Sequence, residues 1–138
     1  MPLDTLFSAA NFSVLPGWLL LALAPRWRWS QRYATLLIPF LLAPLYIWLV
    51  AAYWGQGSFS TLDDVALLFA NRGVLLAGWI HYLIFDLFTG SWIARDALAR
   101  DIPRYAVIPC LALTFLLGPA GLGLYLLLRV AWRRHLDI

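Results

Sequence analysis

Four long apolar stretches, at about residues 6–24, 33–53, 73–93 and 106–128, alternate with short polar segments. About 20 apolar residues suffice for a helix to cross the hydrocarbon core of a bilayer. The pattern therefore predicts an all-α integral membrane protein, with four transmembrane helices in an antiparallel bundle forming one domain over residues 1–138. Prolines interrupt the stretches: Pro16 in the first, Pro39 and Pro44 in the second, Pro109 and Pro119 in the fourth. Each lacks the N–H a helix needs at that point. Pro119, inside Gly118-Pro119-Ala120-Gly121, leaves the Phe115 carbonyl without its usual donor, and in lipid such a group must be satisfied by protein, water or ligand. Asn11 and Ser13 are placed to bond across helices. In the second loop, Gly55-Gln56-Gly57-Ser58 is turn chemistry. Ser60 or Thr61, followed by Asp63-Asp64, then resembles a helix N-cap with acids in the first turn. The run from Val65 to Ala70 predicts a short amphipathic helix on the membrane surface.

The third stretch carries two ionisable residues near its middle, His81 and Asp86. Such groups are costly at that depth and mark functional sites by default. At about 100° per residue from His81, Trp92, Phe85, Thr89, Tyr82 and Asp86 fall between about 20° and 140°. Leu83, Leu76, Leu87, Ile80 and Ile84 fall between about 200° and 300°. The aromatic and polar face is expected to turn inward and the aliphatic face to meet lipid. Asp96, just beyond, returns to the polar face at about 60° and is expected to close the mouth of a pocket. The structural alternative is that His81 and Asp86 only bond neighbouring helices.

Composition supports the membrane reading. Of 138 residues, 63% are hydrophobic and 12% charged, against about 25% charged in a soluble domain. No basic region precedes the first stretch, so it reads as a retained helix rather than a signal peptide. The net charge of +3 does not point to nucleic acid, because the arginines border apolar runs, where they meet lipid headgroups. The segment Arg26-Trp27-Arg28-Trp29-Ser30-Gln31-Arg32 is read as an interfacial loop, and His135 in the tail as solvent-exposed. Six arginines fall in the first and third loops and four elsewhere, which places both termini outside by the positive-inside rule, although Arg133-Arg134 pull the other way. Single Cys110 excludes an intrachain disulfide, and the two histidines and one cysteine have no metal-ligand spacing. No metal or cofactor is expected, although one histidine such as His81 suffices for some haems.

The third and fourth helices are expected to bring His81, Asp86 and the Gly118-Pro119 break to similar depth. A cleft there would combine an acid, a base, free carbonyls and aromatic rings. Apolar surroundings favour the neutral forms of both ionisable types, which makes Asp86 the candidate proton donor and His81 the candidate base. Tyr82, Phe85, Thr89, Trp92, Asp96, Gly118, Pro119 and Tyr125 are the candidate ligand-binding residues. Hydrolase, nucleotide and dinucleotide motifs are absent.

The string Trp79-Ile80-His81-Tyr82-Leu83-Ile84-Phe85-Asp86-Leu87-Phe88-Thr89-Gly90-Ser91-Trp92, with Asp96-Ala97, resembles the core motif of the abscisic-acid-deficient-four-like membrane proteins. Residues 108–125, with the Gly-Pro-x-Gly-Leu break, are similar to that family's last helix. The resemblance covers nearly the whole chain and is most specific over residues 71–129. Plant members of that family are needed for neoxanthin formation from violaxanthin in plastid membranes, and the resemblance implies action on, or binding of, a carotenoid or related isoprenoid lipid. The plant conversion is an isomerisation: an epoxide opens and a proton is lost to give an allene, with no redox cofactor. It needs an acid and a base, the types that Asp86 and His81 supply.

No plastid transit peptide is recognisable, so the chain is expected in a bacterial inner (cytoplasmic) membrane. Three functions compete: a carotenoid or isoprenoid-lipid isomerase, a non-catalytic pigment-binding or assembly protein, and a helper subunit docked on a larger membrane complex. Expected partners are membrane lipid, a carotenoid or isoprenoid ligand, and further copies or a larger complex.

Overall fold

A computed structural model describes residues 2–136, with side chains as far as Trp132. Four helices are long and apolar enough to cross a membrane, and no strand occurs among the described residues. They are α1 (Leu3–Leu23), the continuous rod of α2 (Arg28–Arg32) and α3 (Ile38–Tyr53), α5 (Arg72–Ala99) and α6 (Arg104–Leu136). The short surface helix of the second loop is α4 (Leu62–Phe69). As expected, it is capped by Thr61, whose side chain accepts from the Asp64 N–H at 3.1 Å. Asn71 caps α5 in the same way, accepting from the Gly73 and Val74 N–H groups. His135 lies outside the residues whose side chains are described.

The second rod starts earlier than its apolar pattern, at Arg28. Between α2 and α3 the chain widens into a π-helical turn, Tyr33–Leu37, two residues before Pro39, which has no N–H to give to the preceding turn.

Helix α5 is the central post. Pairings run in step between α1 and α5, from Arg72 and Asp4 at 2.7 Å through Trp79 Nε1 donating to Asn11 Oδ1 at 2.8 Å, so these two helices are parallel. Asn11 thus bonds across helices as expected. Ser13 does so through its backbone carbonyl, which accepts from the Tyr33 hydroxyl at 2.6 Å, while its own hydroxyl stays in its helix with Ala10. The second rod runs antiparallel to α5, since Tyr46 meets His81 and Gln31 meets Ser91.

The buried face of α5 is the aliphatic one, which corrects the expectation from the helical wheel. Leu76, Ile80, Leu83 and Leu87 are all buried, whereas His81, Phe85 and Phe88 are exposed. Lipid tails are as apolar as leucine, so aliphatic character alone does not direct a face outward. Small and close-fitting surfaces decide packing instead, and α5 is surrounded by α1, α3, α4 and α6.

Helix α6 reverses direction at Leu117 and Gly118, whose backbone angles are non-helical. Val107 and Leu111 of its first arm, residues 104–116, share a cavity wall with Ala94 and Ala97 of α5. Arg129 of its second arm, residues 119–136, bonds Asp96 at the same end of α5. In a straight helix positions 107 and 129 would be about 33 Å apart. The first arm therefore descends antiparallel to α5, and the second climbs back beside it. Gly121 packs directly on Thr114 inside the turn, with no room for a side chain. Asp96 fastens the returning arm: its Oδ2 accepts from the Tyr125 hydroxyl at 2.6 Å, Arg129 Nε at 2.9 Å and Arg100 Nε at 3.0 Å.

The reversal brings the end of α6 to the face of the first and third loops, which corrects the placement of both termini on one side. Arg26, Arg28, Arg32, Arg95, Arg100, Arg104 and Arg129 then lie at one end of the bundle and Arg72 at the other. The arginines are thus concentrated at one end of the bundle.

Labelling from one side of the membrane tests the reversal. In a Cys110→Ser background, a membrane-impermeant maleimide labels Arg28→Cys and Val130→Cys from the same side and Ser58→Cys from the other; a straight α6 would put Val130→Cys with Ser58→Cys. Asp96→Ala lowers stability by about 2–3 kcal/mol, because charged donors lose a shared acceptor, read as an earlier unfolding midpoint in detergent.

Candidate functional site

The break in α6 exposes backbone carbonyls at the depth of Tyr82. Its hydroxyl donates to the Leu116 carbonyl at 3.0 Å and the Phe115 carbonyl at 3.2 Å. Phe115 is the residue whose carbonyl Pro119 is expected to free, and a tyrosine from the central helix supplies the missing donor. One turn further along the same face, Asp86 presses its carboxylate against Gly118, where any side chain would collide with it. Asp86 Oδ2 is buried and has no hydrogen-bond partner. The Tyr82 hydroxyl is also within reach of the Asp86 carboxylate, so its single hydrogen serves either the carbonyls or that carboxylate.

Beside this apex lies an apolar slot of about 280 Å³ between α1, α5 and α6. Phe12, Leu83 and Phe115 wall it, and Asn11, Trp79 and Tyr82 give it polar edges. The slot has room for part of an elongated apolar molecule; it meets the apex through Tyr82 and Leu116, and Asp86 does not line it.

The other candidate residues are divided among three places. His81 is exposed and packs on Phe85 at 4.7 Å between ring centres, with Tyr46 of α3 at 6.0 Å. It faces a different neighbour from Asp86, as expected for positions about 140° apart. Phe85 is 57% exposed, on the outer surface. Trp92 meets Tyr125 edge-on at 5.7 Å and lies under the Arg129 guanidinium at 6.0 Å. Tyr125 is fully buried, and its hydroxyl and Asp96 are occupied by each other. Thr89 is half-buried on α5 between these two levels. Gly118 forms the apex and Pro119 starts the returning arm. Among the described residues no cluster of three or more metal-ligating side chains occurs.

A polar pair on the far side of α5 was missed from sequence. The Ser91 hydroxyl donates to Gln31 Oε1, and Gln31 Nε2 is buried without a hydrogen-bond partner. The available signal was Ser91 itself, at about 280° on the otherwise aliphatic face; a hydroxyl there points to protein rather than lipid.

Fold and apex define a polytopic helical membrane protein whose last helix folds back on a carboxylate-bearing post. Its family is shown by the sequence: the profile described as ABA DEFICIENT 4-like matches residues 5–125, and the chain belongs to that family. Among curated proteins it is similar to Protein ABA DEFICIENT 4, chloroplastic, of Arabidopsis thaliana, 28% identical over 120 residues. The match covers 78% of this chain and 54% of that protein, so the chain spans about half the length of the curated relative it matches. No solved structure matches it.

Gly118→Ala is expected to destabilise the protein by about 1–3 kcal/mol through overpacking against the carboxylate. Adding Asp86→Ala recovers part of that loss. A double-mutant cycle of detergent unfolding measures it, and strict additivity would mean the two residues do not touch.

Proposed function

We propose that this protein serves carotenoid metabolism in a bacterial inner membrane. It binds an oxygenated isoprenoid with its apolar chain in the slot beside Tyr82 and its oxygen at the Asp86–Gly118 apex. Membership of the ABA DEFICIENT 4-like family supports the metabolic assignment. The observation that carries the site is the buried, unpartnered Oδ2 of Asp86 at a helix break. A polar atom left so is costly, and a ligand hydroxyl or epoxide would relieve it.

The matching chemistry is a cofactor-independent isomerisation. Asp86 gives a proton to an epoxide oxygen as its C–O bond breaks. A base takes a proton from the adjoining polyene carbon, whose electrons close an allene, and the formula is unchanged. His81 is the residue type for that base, but it faces α3, so its share requires a ligand that reaches around α5. Tyr82, Thr89 and Pro119 are proposed to contact the ligand near the apex, with Phe85, Trp92, Asp96 and Tyr125 further from it.

A second reading, non-catalytic pigment binding, draws on another observation. A groove of about 770 Å³ lies on the outer surface of the second rod, lined by Trp27, Trp29, Tyr33, Leu37 and Phe40 among others, and a polyene needs no more than such a surface.

Pigment chromatography of a deletion strain of the host, complemented with variants, separates these readings. Asp86→Asn is expected to lower formation of the isomerised carotenoid by about a hundredfold or more, the scale of a lost general acid, with the protein still inserted. His81→Ala reports separately on the base. Wild-type pigment from Asp86→Asn would reject the acid role; an unchanged pigment set in the deletion strain would reject the isomerase and leave pigment binding.

A further inference from the structure

At the arginine-rich end, the last turns of α1 and α5 and the start of α6 enclose a second cavity, of about 300 Å³. It lies at the opposite end of the first α6 arm from the apex. Leu21, Ala97 and Leu111 wall its depth, and Arg26, Asp101 and Arg104 come to it from the first and third loops. Arg72, Arg100 and Arg129 are held in ion pairs. Arg26 and Arg104, by contrast, are exposed and have no ion-pair or hydrogen-bond partner among the described residues.

We propose that this cavity binds one anionic phospholipid, its phosphodiester between Arg26 and Arg104 and the first part of an acyl chain against Leu21, Ala97 and Leu111. Charge complementarity selects this occupant. Two arginines less one aspartate leave one net positive charge, which matches a headgroup with one net negative charge. Guanidinium groups suit phosphate oxygens, which they can engage through two N–H groups at once. The apolar walls suit a lipid rather than free phosphate. The mouth also opens at the end that carries seven of the described arginines, facing the leaflet side that anionic lipids make negative. The bound lipid joins α1 to the base of the α6 arm.

The test uses the purified full chain in neutral maltoside detergent. Unfolding is followed by tryptophan fluorescence with added dioleoyl phosphatidylglycerol, dioleoyl phosphatidylcholine or inorganic phosphate. Phosphatidylglycerol is expected to raise the midpoint in a saturable way, while phosphatidylcholine and phosphate leave it in place. The double variant Arg26→Gln/Arg104→Gln weakens the apparent phosphatidylglycerol affinity about fivefold or more, close to 1 kcal/mol. Arg28→Gln/Arg95→Gln, with the same change in net charge, keeps it. Asp101→Asn removes the opposing charge without touching the apolar walls and strengthens it. An equal rise with phosphatidylcholine, an equal rise with phosphate, or equal loss in both arginine pairs overturns the proposal. Should the Arg26/Arg104 pair fail to fold, Asp101→Asn decides: unchanged affinity for phosphatidylglycerol rejects the site.

Discussion

Inside a bilayer no water is at hand for a peptide group that loses its partner, and this structure is arranged around meeting that demand where its helices break. At the break in α6, the Tyr82 hydroxyl serves the carbonyls of Phe115 and Leu116. In α1 the Tyr33 hydroxyl donates to the carbonyl of Ser13, the residue after Phe12, whose carbonyl Pro16 leaves without its usual donor. Both tyrosines come from neighbouring helices, and at the α6 break the irregularity is also a joint. A break that would be unfavourable in an isolated helix becomes a point of attachment between two.

The same logic explains why Asp96 serves the structure. Once α6 has turned back, its second arm must be held against α5. One carboxylate takes donors from Tyr125, Arg129 and Arg100. A carboxylate with several charged donors stabilises its neighbours most when it is partly withdrawn from water, as here. Asp86 makes the opposite use of the same chemical group: half-buried and pressed against glycine, with one oxygen buried and unmatched. Two aspartates on one helix thus divide into a fastener and a candidate reactive group according to what the returning arm brings to each.

Much of this was legible in the residues. Helix count, the Thr61 cap and the freed Phe115 carbonyl all follow from local rules about length, capping and proline. The orientation of α5 did not. Sorting a helix into greasy and polar faces works against water, and Ile80, Leu83 and Leu87 meet no water on either side. The reversal of α6 was visible only as a break at Gly118-Pro119, because sequence marks where hydrogen bonds fail and not how far the chain then swings. Its angle is set by contacts made across the turn and beyond it, Gly121 on Thr114 and Arg129 on Asp96. The separation of His81 from Asp86 was already implicit in their angular spacing; what the wheel could not supply was the identity of the helix facing each.

The doubled-back α6 also bears on how the molecule comes to exist. Both of its arms rest on α5, which emerges earlier in synthesis. The doubled-back segment therefore finds its docking surface on a helix made before it, and its apex seats against Tyr82 and Asp86 of that helix.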